Sequence, residues 1–256
     1  MLRPLGSAVV ALSGGVDSAL LAAALRHTPE IRGHAVTVDS PLLSNAERAR
    51  ARAVAHHLGM PHTWLLSHDL DLSDVAHNTP VRCFACKAHR LALLARWGAR
   101  EGFDWILDGT NADDLQEDRP GLKALQACPH VKTPLAEGGW TKPEIREAAR
   151  ALGLPGWDRA SNACLATRLP FGTFLTTELL RRIDGAEMLL RSLLPEEVPL
   201  RLRLGHEGAR LETSPEGREA LATPTGRSLL DQARMFLGVP EIFLDPRGYR
   251  SGGANT

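Results

Sequence analysis

The spacing of apolar residues divides the first part of the chain into two kinds of segment that alternate. Short continuous apolar runs predict buried strands, and they cover residues 7–12, 34–38, 62–66 and 105–107. Segments with apolar residues at helical spacing predict helices, over residues 16–25, 45–58, 87–100 and 141–152. Strands that alternate with helices form a parallel sheet covered on both faces. We therefore predict an α/β fold with a parallel sheet sandwiched by helices.

The pattern changes after residues 155–172, a loop rich in proline, glycine and polar residues. Beyond this loop the spacing predicts helices over 176–194 and 228–237, two strands within 199–213 and a strand over 242–244. The turn between the two strands is Gly205-His206-Glu207-Gly208. We expect a smaller C-terminal α+β domain, with domains at residues 1–160 and 161–256.

Composition narrows the class of protein. Of the 256 residues, 43% are hydrophobic and 23% are charged, as in ordinary globular proteins. The 30 Lys and Arg balance the 30 Asp and Glu, so charge gives no reason to expect a nucleic-acid partner. No apolar run is long enough to span a membrane, and residues 1–4 lack a signal-peptide pattern. We expect a cytoplasmic protein that binds neither nucleic acid nor a membrane. Its four cysteines should be reduced thiols.

The segment Ser13-Gly14-Gly15-Val16-Asp17-Ser18 joins the first predicted strand to the first predicted helix. Two glycines let the backbone approach a ligand closely, and a helix N-terminus attracts anions. Ser13 and Ser18 add hydroxyl donors, whereas Asp17 repels phosphate unless a cation lies between them, which suggests Mg²⁺. The lysine of the Walker P-loop is absent. The alternative interpretation is a glycine-rich turn without a ligand.

This hexapeptide resembles the pyrophosphate loop of the adenylylating ATP pyrophosphatase (PP-loop) superfamily. Members include NAD synthetase, GMP synthetase, asparagine synthetase and tRNA thiolases. The resemblance implies a fold of the adenine nucleotide alpha hydrolase type. It also implies a half-reaction in which an acceptor oxygen attacks the α-phosphate of ATP and pyrophosphate leaves. ATP and Mg²⁺ are the expected cofactors, with Asp17 as a catalytic residue and a metal ligand.

Polar residues follow three predicted strands at their carboxyl ends, where parallel sheets bind ligands. We expect Ser13, Asp39 and Asp108 to converge on one crevice. The segment Asp108-Gly109-Thr110-Asn111-Ala112-Asp113-Asp114 suits Mg²⁺ or a ribose, and the alternative is a solvated loop with a capping asparagine. The candidates for nucleotide binding are Ser13, Gly14, Gly15, Val16, Asp17, Ser18, Asp39, Lys87, Gly109, Thr110 and Asn111.

Further blocks narrow the choice within the superfamily. They are Pro80-Val81-Arg82-Cys83-Phe84-Ala85-Cys86-Lys87, the 108–114 segment followed by Arg119-Pro120-Gly121, Ala163-Cys164-Leu165-Ala166-Thr167-Arg168-Leu169-Pro170-Phe171-Gly172, and Gly248-Tyr249-Arg250-Ser251-Gly252. In this order, over almost the whole chain, they resemble the LarE family of ATP-dependent sacrificial sulfur transferases. That family helps to build the nickel-pincer nucleotide cofactor.

The resemblance to LarE implies a reaction in three steps. The enzyme adenylylates a carboxylate of pyridinium-3,5-biscarboxylic acid mononucleotide, and an enzyme cysteine then displaces AMP to form a thioester. The C–S bond of that cysteine breaks, which leaves a thiocarboxylate on the product and dehydroalanine in the protein. The expected partner is therefore a small-molecule nucleotide substrate.

By its position in the third block, Cys164 matches the sulfur donor of the family and is the second catalytic candidate. A neighbouring Arg168 favours the thiolate form. The alternative is an inert core cysteine, against which the polar loop from Asn162 to Arg168 argues. Some family members hold an iron–sulfur cluster on three cysteines at this site. Cys164 is alone in its segment, which favours the single-turnover variant.

Cys83 and Cys86 form a C-x-x-C pair, which can bind zinc or a cluster or act as a redox pair. The sequence has no second C-x-x-C, so a closed metal site would need distant ligands such as Cys128 or histidines. We favour a structural helix start that turns Lys87 towards the nucleotide.

Arg201 and Arg203 alternate with leucines, which puts both guanidiniums on one face of a predicted strand. Arginines suit a phosphate monoester, and the resemblance implies that it belongs to the pyridinium mononucleotide. The alternative is a solvated strand face paired with acidic neighbours. The substrate-binding candidates are Arg168, Arg201, Arg203 and Arg250, and the further metal candidates are Glu187 and Glu212.

Two rival functions stay open. One is an amide-forming or tRNA-thiolating enzyme of the same superfamily, although the chain is too short to hold a glutaminase domain as well and has no net basic charge. The other is a non-catalytic adenine-nucleotide sensor, against which Asp17 and the Cys164 block weigh. We also expect a homo-oligomer.

Overall fold

The computed structural model describes residues 2–116, 121–159, 163–205 and 207–249. Contacts within the chain divide it into two compact units. The first unit comprises residues 1–40, 45–75 and 81–158, and the second comprises residues 41–44, 76–80 and 159–256. Two short stretches of the N-terminal part, 41–44 and 76–80, therefore belong to the second unit.

The first unit alternates strands and helices. Its strands are β1 (Ser7–Ala11), β2 (Arg32–Asp39), β3 (His62–Leu66), β4 (Trp105–Leu107) and β5 (Val131–Lys132). Its helices are α1 (Val16–Arg26), α2 (Asn45–His57), α3 (Ser73–Ala76), α4 (Arg82–Arg100), α5 (Leu122–Gln126), α6 (Pro134–Glu137) and α7 (Lys142–Ala151). The last residue of α3, Ala76, belongs to the second unit. Short 3₁₀ helices cover Arg3–Leu5, Asp69–Asp71 and Asp113–Gln116.

The five strands form one sheet in the order β3-β2-β1-β4-β5, and every neighbouring pair is parallel. Strand β1 lies at the centre, with Val9 opposite His34 of β2 and Ile106 of β4. The chain moves outward from β1 in one direction and then returns to its other side, so the carboxyl ends of β1, β2 and β4 are adjacent. This is the topological switch point at which such sheets bind ligands.

Burial on both faces explains why β1 is a continuous apolar run. Ala8 and Val10 pack into a core with Leu21 of α1 and Ile145 of α7. Val9, which points to the opposite face, packs with Leu94 of α4. Helices therefore cover both faces, and the predicted α/β fold class is confirmed.

The second unit contains a three-stranded sheet in the order β6-β7-β8. Its elements are a 3₁₀ helix (Leu165–Arg168), α8 (Thr177–Arg191), β6 (Leu200–Gly205), β7 (Gly208–Thr213), α9 (Pro215–Ala222), α10 (Pro224–Leu237) and β8 (Ile242–Leu244). Strands β6 and β7 are antiparallel, whereas β7 and β8 are parallel. The predicted α+β character of this part is confirmed.

Some element boundaries differ from those predicted. Helix α4 begins at Arg82 rather than at residue 87, because the amides of Phe84 and Ala85 already bond to the carbonyl of Val81. Helix α10 begins at Pro224 rather than at residue 228, because the Thr223 hydroxyl caps its first turn. Helix α9 and the two-residue strand β5 are additions that apolar spacing did not indicate.

Candidate active site

The predicted phosphate loop leaves the carboxyl end of β1 and enters α1. The Ser18 hydroxyl lies 3.1 Å from the Ser13 hydroxyl and donates to the carbonyl of Gly15 at 3.0 Å. The backbone amide of Ser13 donates to the Ser18 hydroxyl at 3.2 Å. Gly15 caps α1 and has no side chain to accept a hydrogen bond. The first N–H groups of an α-helix have no acceptor within the helix, so those of α1 face the loop. The loop is a backbone cradle of the kind that anions occupy.

Gly14 is a position that only glycine can fill. Its φ of +81° lies in the left-handed region. A Cβ there would lie 2.7 Å from the carbonyl oxygen of Glu47 and 2.9 Å from the amide nitrogen of Ala51. Helix α2 can approach the loop this closely because Gly14 has no side chain.

The segment after β4 packs against the same loop. A Cβ on Gly109 would lie 3.0 Å from the amide nitrogen of Ser18. The Thr110 hydroxyl donates to the Asp108 carboxylate at 2.5 Å, and the Lys87 ammonium lies 3.1 Å from the same oxygen. The predicted residues Lys87, Gly109 and Thr110 are thus brought together beside the helix start.

Asp17 is joined to two residues from distant parts of the first unit. Asn111 donates from its side-chain amide to the Asp17 carboxylate at 3.1 Å, and Lys142 donates its ammonium hydrogen to the other oxygen. Lys142 was not among the predicted site residues. The sequence signal near Lys142 is the capping box of Thr141 and Glu144, which marks the start of α7. It places Lys142 in the first turn of that helix.

A magnesium ion at the loop would find one carboxylate, that of Asp17, once Lys142 left it. Mg²⁺ is usually held by one or two carboxylates together with substrate phosphates and waters. Asp17 supplies one carboxylate at the start of α1, beside the loop. Within the described residues, no group of three or more His, Cys, Asp or Glu side chains is assembled for a metal, so an all-protein metal cage is absent from that part of the chain.

Asp39 ends β2 beside the loop strand, but its carboxylate pairs with Arg48 of α2 at 2.7 Å. Arg48 also donates to the carbonyl of Ser40 at 2.7 Å. The nucleotide-binding role of Asp39 stays a prediction. Arg48 is a further cation at this strand end, and no local pattern in the sequence indicates it.

The C-x-x-C pair lies in the first turns of α4. Cys83 is exposed and Cys86 is half-buried, and the Cys86 thiol donates to the Asp69 carboxylate over 3.7 Å. Arg90 binds that carboxylate with two hydrogen bonds of 2.6 and 2.9 Å. Burial raises the pKa of Asp69, but the charge and hydrogen bonds of Arg90 and bonds from serines outweigh it, so the net shift is downward.

The Cys164 block belongs to the second unit and is braced by a buried ion pair. Arg168 is 1% exposed and binds both oxygens of Glu187 at 2.8 and 3.0 Å. The same guanidinium donates to the carbonyl of Ala163 at 2.7 Å. Thr167 donates from its amide and its hydroxyl to the carbonyl of Cys164, at 3.0 and 2.8 Å. Arg168 therefore holds the backbone around the half-buried Cys164.

The two strand arginines lie beside this block. Arg203 pairs with Glu212 at 2.5 Å and donates to the carbonyl of Thr167 at 2.9 Å. Arg201 donates to the Tyr249 hydroxyl at 2.8 Å. Burial lowers the pKa of Arg201 below its ordinary value, and the charges of Arg168 and Arg203 add to that effect. The strand face is buried rather than solvated, but the pairing with acidic neighbours that the alternative expected is present at Glu212.

The structure brings Arg168, Arg201, Arg203, Glu187 and Glu212 into one set of buried pairs, while their assigned roles stay predictions. Arg168 binds both oxygens of Glu187, so a metal there would have to displace a guanidinium. Glu212 binds Arg203 through Oε1, and within the described residues its buried Oε2 accepts no hydrogen bond. Arg119, Pro120, Asn162, His206, Arg250, Ser251 and Gly252 lie outside the described residues. The predicted substrate contact of Arg250 belongs to that group.

Comparison with known proteins identifies the family of the chain. The sequence profile of the asparagine synthase family matches residues 3–155. The chain is similar to the pyridinium-3,5-bisthiocarboxylic acid mononucleotide synthase of Lactiplantibacillus plantarum, with 31% identity over 99% of this chain and 91% of that protein. It is 34% identical to an uncharacterised protein of Synechocystis sp., over 98% of this chain and 92% of that protein.

A further relative matches less of the chain. It is a component of the glutamine-hydrolysing GMP synthase of Methanosphaerula palustris, 31% identical over 57% of this chain and 50% of its own length. The profile and the phosphate loop define the class as a PP-loop protein of the asparagine synthase family, which implies an ATP-dependent enzyme. Because the mononucleotide synthase matches over nearly the whole of both chains, the protein belongs to the LarE family. Among the described helices, none combines the length and apolar character needed to cross a bilayer.

Proposed function

We propose that the protein is an ATP-dependent sulfur transferase that acts on pyridinium-3,5-biscarboxylic acid mononucleotide in nickel-pincer cofactor synthesis. It converts one carboxylate of the substrate into a thiocarboxylate, and Cys164 supplies the sulfur. The observation that carries the proposal is the braced Cys164 turn in a chain that also has the PP-loop. Of the three functions considered, sulfur transfer is the one that assigns a reaction to this cysteine.

The first unit is assigned the adenylylation step. A carboxylate oxygen of the substrate attacks the α-phosphorus of ATP, and pyrophosphate leaves with the electrons of the broken P–O bond. The N–H groups at the start of α1 and the hydroxyls of Ser13 and Ser18 bind the leaving group. A magnesium ion on Asp17 would neutralise charge on the pyrophosphate. Lys142, displaced from Asp17, would then donate to a phosphate oxygen.

The second unit is assigned the sulfur step. The Cys164 thiolate attacks the carbon of the acyl adenylate, and AMP leaves to give a thioester. A base removes the α-proton of residue 164 and the Cβ–S bond breaks, which releases the thiocarboxylate and leaves dehydroalanine. The protein thereby loses the atoms of one hydrogen sulfide.

The strand arginines are assigned the phosphate of the mononucleotide. Arg168, Arg201 and Arg203 carry three positive charges against the two negative charges of Glu187 and Glu212. Within the described part of the chain, buried Nη2 of Arg203 has no hydrogen-bond partner. A buried donor without a partner is costly, and an excess positive charge beside it suits an anion. The predicted phosphate contact of Arg250, the fourth arginine of this set, stays part of the proposal.

The test separates the two half-reactions. Cys164→Ala should release pyrophosphate at the wild-type rate and form no thiocarboxylate, because adenylylation does not use the thiol. Cys128→Ala, a matched change at a half-buried cysteine, should retain both activities. Pyrophosphate release that depends on ammonia and forms no thiocarboxylate would favour an amide synthetase. Nucleotide binding without either product would favour a sensor.

The cellular context stays a prediction. We expect a homo-oligomer in the cytoplasm with the mononucleotide as its partner and no bound nucleic acid. Light scattering of the purified protein measures its oligomeric state. Absorbance at 260 nm shows whether nucleic acid is bound.

A further inference from the structure

Asn78 lies between α3 and α4 in a stretch that belongs to the second unit. Its side chain is completely buried, and its φ of +49° makes it the positive-φ non-glycine residue of the described chain. Left-handed backbone is unfavourable for residues with a Cβ, and asparagine tolerates it better than most. A buried polar residue in a strained conformation calls for a physical reason.

The side-chain amide of Asn78 holds the turn that follows Cys164. Its Nδ2 donates to the carbonyl oxygens of Pro170 at 2.8 Å and Leu169 at 3.2 Å, and lies 3.5 Å from that of Ala166. Carbonyl oxygens only accept hydrogen bonds, so the amide nitrogen must face them. The amide has two hydrogens for three acceptors, so the longest contact is the weakest.

The backbone around Asn78 reinforces this arrangement. The carbonyl of Asn78 accepts from the amide of Gly172 at 3.2 Å, and the carbonyl of Ala76 accepts from the amide of Leu175 at 2.7 Å. Residues 76–78 thus line the chain that runs from 166 to 175. Residues 41–44, the other N-terminal stretch of the second unit, also bind this segment. The Leu165 amide donates to the carbonyl of Leu42 at 3.0 Å.

We infer that Asn78 is a positioning residue for Cys164: its amide fixes the far end of the turn whose near end is held by Arg168. The inference rests on the proposed sulfur transfer. That reaction needs the thiolate aligned with the acyl carbon, and then the Cα–H and Cβ–S bonds aligned for elimination. Both requirements depend on the backbone orientation of residue 164. Arg168 donates a hydrogen bond to the carbonyl oxygen that precedes this residue, and Asn78 donates to carbonyl oxygens that follow it.

Asn78→Gly isolates the role of the amide, because glycine adopts positive φ without strain and removes only the side chain. Asn78→Asp keeps the size and the backbone tolerance but turns acceptors towards the carbonyl oxygens. His77→Ala is the matched control, since His77 is exposed in the same loop and its ring packs edge-on against Phe174, beyond the turn that Asn78 holds.

In single-turnover experiments with ATP, Mg²⁺ and the mononucleotide, Asn78→Gly should release pyrophosphate at the wild-type rate. Its loss of hydrogen sulfide, followed by intact mass, should slow roughly 10- to 100-fold, as expected for a misplaced reacting group. Asn78→Asp should behave in the same way, and His77→Ala should match the wild type in both rates. If pyrophosphate release and mass loss fall together, Asn78 serves the fold alone and the inference is wrong.

A second measurement does not depend on the proposed reaction. Iodoacetamide should alkylate Cys164 several-fold faster in Asn78→Gly than in the wild type, with Cys128 unchanged, as peptide mapping would show. Equal alkylation rates at Cys164 together with equal rates of mass loss would overturn the inference. If the wild type neither releases pyrophosphate nor loses mass, the proposed function fails, and the alkylation ratio alone decides whether Asn78 positions Cys164.

Discussion

The phosphate loop of the first unit and the Cys164 block of the second unit are held in opposite ways. The loop is organised by its own residues, because Ser13, Ser18 and two glycines lie within one hexapeptide. The Cys164 block is held by side chains distant in the sequence, chiefly Asn78 and the pair of Arg168 with Glu187. The loop keeps backbone donors available for a ligand, whereas the block commits its carbonyls to internal partners. A binding site needs open donors, and a reacting atom needs a fixed backbone.

The largest expected effect is on the internal bracing of the second unit. Glu187→Gln removes the charge that compensates Arg168, so it should lower the free energy of unfolding by about 3–5 kcal/mol, as for other broken buried pairs. Urea unfolding measures this. Glu219→Gln, at an exposed glutamate on α9, is the control and should change the value by less than about 0.5 kcal/mol.

The double variant Arg168→Met, Glu187→Leu sharpens this prediction. It removes both charges from the buried site, so it should recover part of the lost stability. Equal stability of Glu187→Gln and the wild type would show that the ion pair does not brace the block.

The next effect concerns the phosphate loop, where a substitution should change the reaction rate but not the free energy of unfolding. Asp17→Asn should slow pyrophosphate release about 10²- to 10³-fold, because a preorganised charge at the leaving group is lost. Asp71→Asn, at an exposed aspartate of the same unit, is the matched control. Unchanged adenylylation in Asp17→Asn would remove the metal role from this residue.

A smaller effect tests the glycine requirement of the loop. Gly14→Ala places a Cβ 2.7 Å from the carbonyl of Glu47 at positive φ, so we expect a loss of about 1–3 kcal/mol in unfolding free energy. Gly15→Ala is a close control, because its Cβ would meet only the Ser13 hydroxyl at 3.5 Å. Thermal unfolding without ATP compares the two. Equal destabilisation would mean that α2 does not constrain the loop.

The smallest effect is a pH dependence of the first unit. Burial lowers the pKa values of His34 and His62, so both are favoured as neutral groups in the fold. The unfolded chain takes up protons first, and stability should therefore fall as the pH drops below about 6.5. The Thr37 hydroxyl donates to the carbonyl of Leu12 and lies 2.8 Å from His62 Nε2, so that nitrogen is the donor of the pair.

His62→Gln keeps a donor at this position and removes the titration. The difference in unfolding free energy between about pH 7.5 and pH 5.5 should be smaller in His62→Gln than in the wild type. An unchanged difference would assign the acid sensitivity to other groups.

The same contrast explains what could be predicted from the sequence. The loop and strand β1 were predictable because their determinants are local: a continuous apolar run, two glycines and a helix start. Lys142 was missed because only folding brings it to Asp17. Asn78 was missed because a single asparagine in a loop carries no periodic signal, and its acceptors lie about ninety residues away in the chain. The two-residue strand β5 is too short to show a spacing at all.

Mass spectrometry of the wild-type protein after one turnover with ATP, Mg²⁺ and the mononucleotide decides whether Cys164 gives up its sulfur. We expect the protein mass to fall by one hydrogen sulfide, and peptide mapping to locate the loss at residue 164 as dehydroalanine. Continued formation of thiocarboxylate without any mass loss would contradict it. So would a loss that maps to the peptide containing Cys83 and Cys86.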